Sequence, residues 1–126
     1  MTTPAHPLRS VLLVDDDEDI RDSLALVLRD EGYLVETACN GKEALNKLDS
    51  MPTPCVVLLD LMMPVMNGWK LLEHLEQRPH RFSVVVVSAA VPPAPAGCAG
   101  CLRKPIDLNL LLSTVEEACR APAQQA

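Results

Sequence analysis

Five short apolar runs divide the chain, and most of the stretches between them carry apolar residues at helical spacing. Val11, Leu12, Leu13 and Val14 form a continuous run, the pattern of a strand buried on both faces. After it, Ile20, Leu24, Val27 and Leu28 recur at helical spacing, and Gly32 stands where a helix C-cap belongs. Residues 33–37 predict a second, weaker strand. Asn40 is a candidate N-cap with Glu43 as its capping-box partner, and Ala44, Leu45 and Leu48 give that helix an inner face. Pro52 and Pro54 end the unit. A third strand is predicted over 55–59, with Asp60 at its end.

Pro64, Asn67 and Gly68 mark a loop, followed by a predicted helix over 69–78 with Leu71, Leu72 and Leu75 inward. Residues 82–87 are the most β-branched stretch and predict strand four. A short fifth strand is expected over 101–103. Asp107 then caps a last helix with Leu108, Leu111, Leu112 and Val115 on one face. Strand–helix alternation of this kind means an α/β fold built on a parallel sheet. The chain has 126 residues, which predicts one domain over 1–126, with a loose tail over 1–9 and a tail or linker stub over 121–126.

Charge narrows the function. Seventeen acids against 11 bases give a net charge of −6, and aromatics are 2%. This balance argues against direct binding of nucleic acid or an anionic membrane, which require basic surface, and against base-stacking platforms. The acidity is mostly local. Asp15, Asp16, Asp17, Glu18 and Asp19 are consecutive, and without them 12 acids stand against 11 bases.

Five scattered cysteines without a signal-like N-terminus fit reduced thiols in the cytoplasm. The uncharged stretch from Ser83 to Leu102 is 20 residues long, but Pro92, Pro93 and Pro95 break it, so no membrane span is expected. Cys98 and Cys101 form a CxxC. No second CxxC or HxxxH completes a zinc site, and the pair precedes a strand instead of opening a helix, so no redox or metal role is assigned. His74 and His80 are expected at the surface, and Trp69 in packing or as a surface aromatic.

Two strands end in carboxylates, Asp15 and Asp16 after the first and Asp60 after the third. Ligands of open parallel sheets sit beyond the carboxyl ends of the strands. If strands one and three are neighbours, these acids converge. Two carboxylates ~5 Å apart repel by roughly 3 kcal/mol at an effective dielectric near 20, so the cluster needs a cation, and hard oxygen ligands favour Mg²⁺. Ser88 ends strand four and Lys104 ends strand five. Acids, a hydroxyl and an ammonium at neighbouring strand ends suit Mg²⁺ and a phosphoryl group.

The segments VLLVDDDEDIRDSL (11–24), LLDLMMPVMNGWKLL (58–72), VVVVSA (84–89) and LRKP (102–105) together resemble the receiver domain of two-component response regulators. The resemblance covers residues 10–120. It implies a flavodoxin-like, doubly wound sheet of five parallel strands in the order 2-1-3-4-5. It implies that Asp60 accepts a phosphoryl group from a sensor histidine kinase or a histidine phosphotransfer protein. Mg²⁺ would be held by Asp15, Asp16, Asp60 and the backbone carbonyl of Met62. Ser88 would hydrogen-bond the phosphoryl group, Lys104 would pair with it, and the Lys104–Pro105 peptide would be cis. Such a protein is no enzyme beyond its own phosphorylation and slow dephosphorylation.

Two departures stand out. Cys101 occupies the place where the family usually carries a Tyr or Phe that reports phosphorylation. Three prolines and two glycines between Ser88 and Lys104 predict a fourth helix that is shortened or missing. These departures favour an alternative, a degenerate receiver that acts as a phosphorylation-independent interaction module. A phosphotransferase of the haloacid-dehalogenase type, suggested by the D-x-D at 15–17, lacks the Thr or Val that should follow and the larger capped chain.

Overall fold

The computed structural model describes residues 9–51, 56–60, 70, 73–74, 82–89 and 100–120. Strands β1 (Ser10–Val14), β2 (Leu34–Ala38), β3 (Val56–Asp60), β4 (Ser83–Ser88) and β5 (Gly100–Arg103) form one sheet in the order β2-β1-β3-β4-β5. All four pairings are parallel. Helices α1 (Glu18–Asp30), α2 (Gly41–Ser50) and α3 (Leu108–Arg120) flank it. The predicted strands thus lie within about a residue of their observed bounds, and the implied strand order is the observed one.

The three central strands are buried along their whole length, as their unbroken apolar runs require. Alternate residues feed two cores. Val11, Leu13, Val56, Leu58, Val85 and Val87 pack under α1 and α3, joined by Leu24, Leu28, Leu111 and Val115. Leu12, Val14, Val57, Leu59, Val84 and Val86 face the other way, with Ala44 and Leu48 of α2. Helices on both faces make the sheet doubly wound.

Local chemistry sets the helix ends. Asp17 caps α1, its carboxylate accepting from the Ile20 N–H at 3.1 Å. At the other end Gly32 takes φ 99°, the left-handed region that favours glycine. There Gly32 N–H donates to Arg29 O and Tyr33 N–H to Leu28 O, the Schellman pattern. Asn40 caps α2 through the Glu43 N–H at 2.8 Å, as expected. Glu43 reaches back one residue further than a strict capping box, accepting from the Cys39 N–H at 2.8 Å. That hydrogen bond is the main reason the Glu43 carboxyl is held below its ordinary range. Asp107 caps α3 by accepting from the Leu110 N–H.

The inner face of α3 needs one correction. Leu108 is exposed, while Leu111, Val115 and Ala118 carry the burial. Leu108 opens the helix, ahead of the turns that lie over the sheet. Ser83, buried in β4, donates to the Ala118 carbonyl at 3.1 Å and fastens α3 near its end. Gly100 allows the close approach at β5, since a Cβ there would come 3.1 Å from Thr114 Cγ2.

Residues 70, 73 and 74 are helical and exposed, and His74 is on the surface as expected. The rest of the predicted 69–78 helix, with Trp69, and the stretch expected to hold a shortened or missing fourth helix lie outside the described residues. So do Cys55, His80, Cys98 and the Met62 carbonyl. Cys39 and Cys119 are partly buried and Cys101 is exposed, and none of the three is in a disulfide.

Candidate functional site

Register explains why distant acids meet. Val14 pairs with Leu59, so Asp15 and Asp60 are the next step along two adjacent strands, which run ~4.8 Å apart. On the other side, Asp60 pairs with Val87 and Ser88 with Arg103. Asp15, Asp60, Ser88 and Lys104 therefore gather at the carboxyl end of the sheet. Asp15, Asp60 and Ser88 are buried, at 2, 3 and 3% exposure. Asp16 is exposed.

Lys104 draws the corner together. Its Nζ donates to Asp60 Oδ2 at 3.2 Å and stands 3.4 Å from Asp15 Oδ2. Its backbone N–H donates to the Ser88 carbonyl at 3.0 Å, continuing the β4–β5 ladder past the last strand residue. The Lys104–Pro105 peptide is cis, as the resemblance implied. Burial works against the ammonium charge, but attraction to Asp15 and Asp60 outweighs it, so the Lys104 pKa lies above its ordinary value.

Asp15 is fastened at every polar group. Its N–H donates to the Ala38 carbonyl at 3.1 Å, extending the β1–β2 ladder. Its Oδ1 accepts from the Asp17 N–H at 2.8 Å. Its carbonyl accepts from Arg21 Nη1 at 2.9 Å. Asp17 has two roles here, capping α1 through its carboxylate and holding Asp15 through its N–H. Arg21 was not singled out. Its signal in the sequence was a lone cation six residues after Asp15 on a helix opened by acids.

Carboxylate oxygens of Asp15, Asp16 and Asp60 all lie within 4.8 Å of one another. Three carboxylates facing one ammonium leave the corner about two charges negative. That deficit and the all-oxygen donor set fit a hard divalent cation such as Mg²⁺. Beside Lys104 a groove of about 290 Å³ opens between α1 and the β5–α3 connection, lined by Asp19, Ile20, Ser23, Leu24, Pro105 and Ile106.

The comparisons agree with this geometry. The response regulator receiver domain pattern matches residues 11–116. The chain is 41% identical over 80 residues to response regulator RR06 of Streptococcus pneumoniae, covering 64% of this chain and 36% of that protein. It is 34% identical over 122 residues to the transcriptional regulatory protein CpxR homolog of Haemophilus influenzae, covering 92% of this chain and 52% of that one. Among solved structures, the CheY-like receiver domain protein of Methanospirillum hungatei superposes with a TM-score of 0.81 at 31% identity, covering 89% of this chain and 94% of that one. The chain belongs to the response regulator receiver domain family, and the corner at the end of its sheet is the acidic pocket of a phosphoacceptor module. It spans about a third of RR06 and half of the CpxR homolog.

Proposed function

We propose that the chain takes a phosphoryl group onto Asp60 from a phosphohistidine of a sensor kinase or a histidine phosphotransfer protein, with Mg²⁺ in the acidic pocket. The observation that carries the proposal is the placement of Lys104 between two buried carboxylates, with a third, exposed carboxylate completing an oxygen cluster. An Asp60 carboxylate oxygen attacks phosphorus, the phosphorus–nitrogen bond of the donor breaks, and the imidazole leaves with the bonding electron pair. Lys104 is placed to pair with a phosphoryl oxygen as charge develops, and Ser88 to hydrogen-bond another. Asp15, Asp16 and Asp60 would hold Mg²⁺, with the Met62 carbonyl as a further ligand. When bound, the metal supplies charge that offsets the crowding of anions during transfer.

The acylphosphate is then lost by slow hydrolysis, and the chain turns over no other substrate. No helix among the described residues is long and apolar enough to cross a membrane. The net charge of −6 supports a role without direct nucleic-acid contact. The cytoplasm is the compartment where such a donor and these reduced cysteines belong.

A second reading, a phosphorylation-independent interaction module, is favoured by the exposed Cys101 on β5, where the family usually carries its reporting aromatic. One experiment separates the two. The protein is incubated with acetyl phosphate and Mg²⁺ and its intact mass is measured. The phosphoacceptor reading predicts a gain of one phosphoryl group that chelation of Mg²⁺ prevents and Asp60→Asn abolishes. No gain, together with no uptake of Mg²⁺ or beryllofluoride, selects the interaction module.

A further inference from the structure

Asp15 and Asp16 must aim their carboxylates at one point from opposite sides of a single peptide bond. Asp15 is buried and tied at its N–H and its carboxylate, but Asp16 is exposed. What aims Asp16 is its backbone, and the peptide plane that carries its N–H also carries the Asp15 carbonyl. Because that group is planar, a hydrogen bond to the carbonyl fixes both residues at once. Arg21 makes that bond, Nη1 to Asp15 O at 2.9 Å, from the second turn of α1. Helix α1 is itself held by the Asp17 cap, whose N–H grips Asp15 Oδ1. The Arg21 charge also adds a small attraction for the Glu43 carboxylate, whose main tie is the Cys39 N–H.

We infer that Arg21 is a positioning residue for the cation pocket, orienting Asp15 and Asp16 together by holding the peptide plane between them. The inference rests on the Mg²⁺ reading above. The Arg21 hydrogen bond goes to the Asp15 carbonyl and not to a carboxylate oxygen of the cluster. It acts as an outer support of the kind whose loss costs about 10- to 100-fold in metal affinity.

The same helix supplies a control. Arg29 Nη2 donates to the Val35 carbonyl at 3.1 Å, an equivalent bond at the other end of α1 and far from the pocket along the β2 edge. Calorimetric titration with Mg²⁺ alone is run on the full chain and on Arg21→Met, Arg21→Lys and Arg29→Met, with melting temperatures recorded in chelator. The inference predicts that Arg21→Met binds Mg²⁺ about tenfold or more weakly. Arg21→Lys, which keeps a donor, recovers part of that loss, and Arg29→Met binds as the parent does despite a comparable fall in melting temperature. Parent-like affinity in Arg21→Met, or an equal loss in Arg29→Met, overturns the role assigned to Arg21. A parent chain that takes up no Mg²⁺ overturns the metal reading itself, and with it this inference. If Arg21→Met does not fold, Arg21→Lys decides alone: affinity below the parent's together with faster Asp16 amide exchange supports the role, and parent-like affinity with an unaltered Asp16 exchange rate overturns it.

Discussion

The centre of the sheet and its β5 edge are built by different rules. Strands β1, β3 and β4 are buried at every position, and their ends carry Asp15, Asp60 and Ser88, all buried. Strand β5 is mostly exposed, with only Leu102 buried, and Cys101 stands on its open side. The comparison shows where chemistry and readout are separable. The pocket depends on register between tightly packed strands, so nearly any change in the centre disturbs it. The edge position of Cys101 stands apart from the carboxylates, because Lys104 reaches the pocket from beyond the strand.

The largest way to sharpen this contrast is Lys104→Met. Removing the group that meets both carboxylates should slow phosphorylation by acetyl phosphate about 100-fold or more, read as the rate of mass gain, while Cys101→Ala leaves the rate unchanged. Next is stability by chemical denaturation. Leu58→Ala, emptying space at a fully buried position in β3, should cost about 2–5 kcal/mol. Cys101→Ala should stay within about 0.5 kcal/mol. A Cys101→Ala chain as unstable as Leu58→Ala would break the comparison.

A smaller effect tests the one place where β5 is packed closely. Gly100→Ala should cost about 1 kcal/mol through its 3.1 Å approach to Thr114 Cγ2, and Thr114→Ser should relieve much of that in the double variant. The smallest effect is with pH. The Lys104 pKa is raised in the fold, so its ion pairs stabilise fully below the ordinary lysine value and fade as pH rises through the raised one. Denaturation midpoints should therefore fall in that alkaline window for the parent and not for Lys104→Met. Glu43 has the opposite sign, its lowered pKa giving stability above the ordinary carboxyl value that is lost as pH falls.

Most of the fold was legible because the central runs are apolar on both faces and the caps are polar at fixed offsets. Val11–Val14 and the Asn40–Glu43 pair announced their structure directly. Asp15, Asp60 and Lys104 were legible as strand ends, but only the folded geometry shows that Lys104 lies against both acids. Asp17 and Arg21 were not, since an acid in an acidic run and a cation on a helix look like solvated charge until the loop geometry is known. Leu108 misled for a related reason. Its spacing matches Leu111 and Leu112, yet spacing does not say where a helix begins to overlie the sheet.

The central claim is that this corner makes Asp60, among its three acids, the acceptor. The direct test treats the protein with acetyl phosphate and Mg²⁺, reduces the acylphosphate with borohydride, and maps the modified residue by peptide mass spectrometry. Reduction at Asp60 alone, and only with Mg²⁺ present, is the predicted result. Reduction at Asp15 or Asp16, or equal labelling without the metal, would contradict it.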